Sequence, residues 1–262
     1  MNVLKLNYFF FKFFKKLHFG IYNYAGRNFS GRICVYHKGG GHKLRYKVVD
    51  FYRRLNTSGI LYKTITDSKR TSFLGLVFYD NGLISLIPLV DGVIPGSKIF
   101  SGVHATVNQS MQAGSTNTLK NISLFSMVNN IELVPFFGSN IARAAGTSAL
   151  LVGRQEKIST LKLNSGWLIH LSNDCLASLG YVSNILHKLS RVSKAGISRA
   201  KHRKPVVRGV AMNPCDHPHG GGEGKTSALR AAKSPWGWLT KGTPSKKKKK
   251  DKLKRKLFKN IR

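Results

Sequence analysis

The chain reads as an all-β protein, two small barrels in succession with a basic extended arm at each end. Three observations carry that reading. Short apolar runs rich in Val, Ile, Tyr and Phe alternate with Gly, Pro, Asn and Asp punctuation, the texture of closely spaced strands. No helical period of about 3.6 residues persists over a useful window. Charge is gathered at the ends: residues 1–60 carry a net +11, residues 61–195 only +6, and residues 196–262 +17. That layout suits a folded body whose arms reach into something negative.

Residues 1–25 form the first arm. Tyr8-Phe9-Phe10-Phe11-Lys12-Phe13-Phe14 is apolar, but a spanning helix needs about 20 apolar residues, and Lys5, Lys12, Lys15 and Lys16 interrupt this stretch. Neither a small-residue cleavage site nor an Arg- and Ser-rich transit signal is visible. The stretch is expected either to stack on bases or enter a partner, or to serve as an edge strand.

Residues 26–107 are expected to form the first barrel. Strands are predicted at 32–36, 44–52 and 72–79. A fourth, at 83–89, follows the hairpin turn Asp80-Asn81-Gly82, and a fifth, at 98–107, follows the turns Asp91-Gly92 and Pro95-Gly96. Residues 108–195 continue the texture as a second barrel. Strands are predicted at 128–134, 149–156, 159–163 and 166–171, with turns at Gly138-Ser139-Asn140, Gly153 and Asn164-Ser165-Gly166. From residue 196 onward Gly, Pro, Lys and Arg dominate and no core of its own is expected. The five lysines at 246–250 and the basic stretch 252–256 suit a tail ordered on a polyanion.

Composition narrows the function. Lys+Arg 44 against Asp+Glu 10 leaves +34 on 262 residues, which points to a polyanionic partner. Hydrophobic residues at 42% exclude a wholly disordered basic tail. Cys34, Cys175 and Cys215 are odd in number and lack C-x-x-C spacing, so neither a disulfide framework nor a cysteine-rich zinc site is expected, and a reducing compartment fits.

Two glycine clusters stand out: His37-Lys38-Gly39-Gly40-Gly41-His42-Lys43, and Asp216-His217-Pro218-His219-Gly220-Gly221-Gly222-Glu223-Gly224-Lys225. Residues without Cβ permit close backbone approach and can turn N–H groups toward phosphate. Neither cluster has the strand before and helix after that a nucleotide-triphosphate loop needs. Cys215-Asp216-His217 holds a thiol, a carboxylate and an imidazole, but sequence neighbours point apart, so no nucleophilic set is expected. His217 and His219, even with His37 or His42, lack the carboxylates to complete a metal shell. Trp236 and Trp238 sit in a cationic segment, where they stack on bases or cap the second barrel.

These residues resemble one family, large-subunit ribosomal protein two of the bacterial and organellar type. The resemblance rests on Gly26-Arg27-Asn28-Phe29-Ser30-Gly31-Arg32, His37 to Lys43, and Tyr46-Lys47-Val48-Val49-Asp50-Phe51. It continues through residues 129–134, Ala142-Arg143-Ala144-Ala145-Gly146-Thr147 and Ala177-Ser178-Leu179-Gly180. It ends with Arg208 through Gly224, Pro235-Trp236-Gly237 and Thr240-Lys241-Gly242, so that it covers about residues 26–256. It implies an OB-fold barrel, an SH3-like barrel and a C-terminal extension threaded through rRNA near the peptidyl-transferase region. Implied RNA contacts in the first part of the chain are Arg27, Arg32, His37, Lys38, Gly39, Gly40, Gly41, His42, Lys43, Arg45 and Arg53. Later ones are Arg143, Arg208, Asn213, Asp216, His217, His219, Gly220, Gly221, Gly222, Lys225, Trp236 and Lys241. His217, with Asp216, is expected to support function by position rather than chemistry.

The chain departs from that family in its Phe-rich leader, in Cys215 where a small apolar residue is usual, and in Lys225 where Arg is usual. The resemblance implies no cofactor, no metal and no enzymatic activity. Its implied partners are large-subunit rRNA, neighbouring ribosomal proteins and the small subunit across the interface, with no membrane span. Heavy use of Phe, Lys, Asn, Ile and Leu suggests a mitochondrion, with a plastid as the alternative. The competing functions are a histidine- or metal-dependent nucleic-acid enzyme and a free DNA-packaging protein.

Overall fold

The computed structural model describes residues 17–103, 112–224, 231–242 and 258–260. Strand β1 (His18–Gly20) pairs antiparallel with β2 (Arg45–Lys47), His18 opposite Lys47. Next come β3 (Thr57–Ile65), β4 (Leu74–Tyr79), β5 (Ile84–Pro88) and β6 (Lys98–Ser101), an antiparallel sheet in the order β5-β4-β3-β6. β4 lies inside this sheet and is covered on both faces, so its sequence is nearly continuously apolar rather than alternating. Leu61, Val77, Ile87, Leu89 and Ile99 form the first core. The predicted hairpin turn is present: the Gly82 N–H donates to the Tyr79 carbonyl at 2.9 Å, and the Asn81 carboxamide accepts from the Leu83 N–H at 3.1 Å.

The second sheet draws on β7 (Thr116–Thr118), β8 (Met127–Asn129), β11 (Ala149–Arg154), β12 (Ile158–Leu163), β13 (Trp167–Ser172), β14 (Leu176–Leu179) and β15 (Phe258–Asn260). Its order is β15-β13-β12-β11-β8-β14-β7. Strands β9 (Ile131–Glu132) and β10 (Ser139–Ile141) make a separate hairpin. Leu119, Val128, Ile131, Leu151, Leu161, Ile169 and Ala177 close the second core around Cys175. The all-β class predicted from the sequence is the observed one. The α-helix among the described residues, α1, is the short Ala195–Ala200 segment.

Several expected elements differ, each for a local reason. Residues 32–36 form no strand, because the Asn28 carboxamide accepts the N–H groups of Ser30 at 3.0 Å and Arg32 at 2.9 Å and bends the chain. The expected strand 44–52 shrinks to β2, since the Asp50 carboxylate takes the N–H groups of Tyr52 and Arg53 and turns the backbone before residue 52. Ser139 opens β10 rather than completing a turn, the turn itself spanning Val134–Phe137. Gly153 lies inside β11 at a register shift rather than at a turn. β3, unpredicted, begins at Thr57-Ser58-Gly59, which reads locally as turn punctuation but lies between β4 and β6.

Two compact units result. The larger takes in Lys43–Arg191 together with β1 and β15. The smaller joins Tyr22–His42 to Val192–Leu253, so residues 26–42 group with the chain beyond residue 191.

Candidate nucleic-acid interface

The smaller unit has no apolar core among its described residues; Gly39 and His217 are its buried positions. Hydrogen bonds between its two segments hold it instead. The Gly39 N–H donates to the His202 carbonyl at 3.1 Å, the His42 N–H to Ala200 at 3.3 Å, and the Lys204 N–H to His37 at 2.8 Å. His202 Nδ1 lies within hydrogen-bond reach of both the Asn23 carboxamide NH2, at 2.8 Å, and the Gly40 carbonyl, and its tautomer selects which of the two it bonds. The close approach expected of the first glycine triplet is therefore to the chain's own backbone. A Cβ on Gly41 would stand 2.6 Å from the Ala200 carbonyl oxygen, whereas one on Gly40 would meet nothing within 4 Å.

The second cluster is closed on itself in the same way. The Asp216 and His217 N–H groups donate to the Asn213 carbonyl at 3.0 and 3.3 Å, and the Gly220 N–H to the His217 carbonyl at 2.9 Å. A Cβ on Gly220 would fall 2.3 Å from the Asn213 oxygen, and one on Gly221 would fall 2.6 Å from the Pro214 ring. His217 is 8% exposed. Its Nδ1 accepts from the His219 N–H at 3.0 Å, and His219 Nε2 accepts from the Lys233 N–H at 3.1 Å. Each accepting nitrogen must be unprotonated, which assigns the proton of neutral His217 to Nε2 and that of His219 to Nδ1. Both rings thus brace the loop. Cys215 and Asp216 are exposed, and His217 Nδ1 is committed to backbone.

Around this frame the predicted contacts Arg27, Arg32, His37, Lys38, His42, Arg208, Asn213, Gly222 and Lys241 are exposed. Trp236 stacks on Tyr36, centroids 6.4 Å apart and rings inclined by 28°, so it joins the two segments. Among the described residues the Lys or Arg pairs with carboxylates are Arg54–Glu132 and Arg70–Asp67, both in the larger unit. The cations of the smaller unit keep their full field. Lys225, the Phe-rich stretch with Lys5, Lys12, Lys15 and Lys16, and the basic runs 246–250 and 252–256 lie outside the described residues.

On the larger unit Lys43, Arg45 and Arg143 are exposed; Arg143 lies over the Phe51 ring at 4.9 Å and donates to the Ser139 carbonyl at 3.2 Å. Arg53 corrects an expectation. It is 3% exposed, and its guanidinium donates to the carbonyls of Phe100 at 3.0 Å and Gly114 at 2.7 Å, so it faces protein rather than a ligand. Desolvation pulls its pKa down, opposed by Tyr79 and Asp50. Sequence reasoning missed the neighbouring Arg54, held by buried Glu132 at 3.2 Å, its guanidinium 5.5 Å from the Tyr52 ring centroid and 4.7 Å from that of Phe136. The signal was available in principle, since Glu132 is one of few acids in a basic chain, but its partners come from distant segments. Among the described residues no three His, Cys, Asp or Glu side chains converge as a metal site, and no helix is long and apolar enough to cross a membrane.

Comparison with known proteins gives two family matches. Residues 15–101 match the family described as "Ribosomal Proteins L2, RNA binding N-terminal domain", and residues 112–237 match "Ribosomal Proteins L2, C-terminal domain". The chain is 44% identical over 238 residues to the large ribosomal subunit protein uL2m of Reclinomonas americana, covering 90% of this chain and 84% of that protein. It is 45% identical over 237 residues to uL2 of Wolbachia pipientis from Culex pipiens, covering 90% of this chain and 85% of that one.

Proposed function

Because this chain belongs to the ribosomal protein L2 family, we propose that it binds and rigidifies rRNA near the peptidyl-transferase region and supports subunit association in mitochondrial translation. It is a structural, RNA-binding constituent of the large ribosomal subunit, with an OB-fold N-terminal domain and an SH3-like C-terminal one. Its partners are rRNA and neighbouring ribosomal proteins; contact with the small subunit belongs to the proposal.

The observation that carries the reading is the smaller unit. It is two segments without an apolar core, tied by backbone hydrogen bonds and bearing exposed cations that no carboxylate pairs among the described residues. Such a surface gains free energy by releasing counterions from phosphates, and its stability improves when RNA screens its self-repulsion. Phosphate contacts through Arg27, Arg32, Lys38, Arg208 and Lys241 position the chain, while exposed aromatic rings meet bases. His217 acts by bracing its loop. The mitochondrial setting is supported by the uL2m relative and by the amino-acid usage.

Sedimentation of an organelle lysate at low and high salt tests this. The chain is expected to migrate with the large subunit at both. Migration as free protein or with DNA would overturn the reading in favour of DNA packaging, and stoichiometric metal retained after chelation would favour the enzyme.

A further inference from the structure

The geometry points to the β9–β10 hairpin tip as a stacking wedge for an unpaired RNA base, with Phe136 and Phe137 as its contact rings. This rests on the RNA-binding reading above and extends it to residues that no motif marked. Phe136 is 68% and Phe137 74% exposed, a pair of phenyl rings displayed on a chain of charge +34.

The tip is rigidly built. The Phe137 N–H donates to the Val134 carbonyl at 3.3 Å across a turn with Pro135 and Phe136 at its centre. Phe136 has φ +72, where such a turn ordinarily takes glycine, so a bulky side chain is held in a strained position. Glu132, 1% exposed, supplies the restraint: its carboxylate accepts the N–H groups of Phe136 at 3.3 Å, Gly138 at 3.0 Å and Leu176 at 3.1 Å. It also fixes Arg54, whose guanidinium lies 4.7 Å from the Phe136 ring centroid. Just beyond β10, exposed Arg143 lies 4.9 Å from the Phe51 ring centroid and donates to the Ser139 carbonyl. Strain, preorganised rings and an adjacent cation together fit a nucleobase stacked on phenyl with its phosphate near guanidinium. The chain's charge of +34 favours a polyanion over an apolar protein partner.

The test binds the full chain to a large-subunit rRNA transcript, with ultraviolet crosslinking mapped by mass spectrometry. The double variant Phe136→Gly, Phe137→Ala is informative because glycine at φ +72 relaxes the turn and keeps its backbone, so weaker binding reads the loss of the rings. The parent chain should crosslink a nucleotide within residues 133–138, the double variant should lose that adduct and bind on the order of 10- to 100-fold more weakly, and tyrosine at both positions should restore both. Unchanged affinity and footprint in the double variant, with binding still lost on substituting Arg27 and Lys38, would overturn the wedge and leave the RNA reading standing. Failure of the parent chain to bind the transcript would overturn the RNA reading itself. Crosslinks from these rings only to protein, in intact subunits, would also overturn the wedge.

Discussion

The Arg53 guanidinium donates twice to the Ser101 hydroxyl, from Nε at 2.9 Å and from a terminal nitrogen at 2.7 Å. Ser101 ends β6, while the carbonyl of Gly114 and the hydroxyl of Ser178 in β14 complete the set around the same guanidinium. One side chain therefore ties the first sheet to the second. It can be directed there because Asp50 accepts the Arg53 N–H at 3.0 Å and helps hold that residue at φ +48.

Arg53→Met removes the donors and deprives the Phe100 and Gly114 carbonyls of their guanidinium bonds in a buried site, while the Ser101 hydroxyl keeps Tyr79 as its remaining side-chain partner among the described residues. Stability should fall by about 3 kcal/mol, as for breaking a buried charged network. Urea denaturation of the purified chain checks it: the midpoint falls while the slope stays the same.

Gly41 and Gly40 should respond differently. Gly41→Ala forces a Cβ against the Ala200 carbonyl and His202, so amide protection at His42 and Lys204 should be lost in hydrogen exchange. Gly40→Ala meets open space and carries only the left-handed backbone penalty of about 1 kcal/mol, leaving that protection in place.

The three thiols should separate by reactivity. Cys34 and Cys215 are exposed and should be alkylated in the native protein, whereas Cys175 should be labelled only after unfolding. Burial, helped by the nearby Glu132 charge, pushes the Cys175 thiol up to about 11 from its ordinary 9.0. The unfolded chain then loses this proton first as pH rises. Native stability should decline between pH 9 and 11, measurable as a falling denaturation midpoint.

Arg208→Gln should weaken rRNA binding without altering the fold, because its side chain is exposed. If it meets one phosphate, the slope of log affinity against log salt should shrink by about 0.7 to 0.9. An unchanged slope would remove Arg208 from the interface.

Local chemistry made much of this legible. The apolar run at 72–79 became β4 within two residues, and Asp80-Asn81-Gly82 became its turn, because both depend on neighbours in sequence. Asn28 and Asp50, by contrast, dismantled expected strands through side-chain bonds that compete with pairing, a choice that propensity alone does not decide.

From the sequence alone came the all-β class, the basic ends and the resemblance to one ribosomal family, since composition, turn chemistry and motif order are properties of the chain itself. Which arginine serves which purpose was decided only by tertiary structure. Arg53 and Arg54 are adjacent and alike in sequence, yet the fold brings carbonyls and hydroxyls around one and a buried carboxylate and two aromatic rings to the other. Likewise Gly41 and Gly220 lie against the chain's own carbonyls. Hydrogen bonds act over about 3 Å, whereas Arg53 reaches Gly114 across 61 positions of sequence and Arg54 reaches Glu132 across 78.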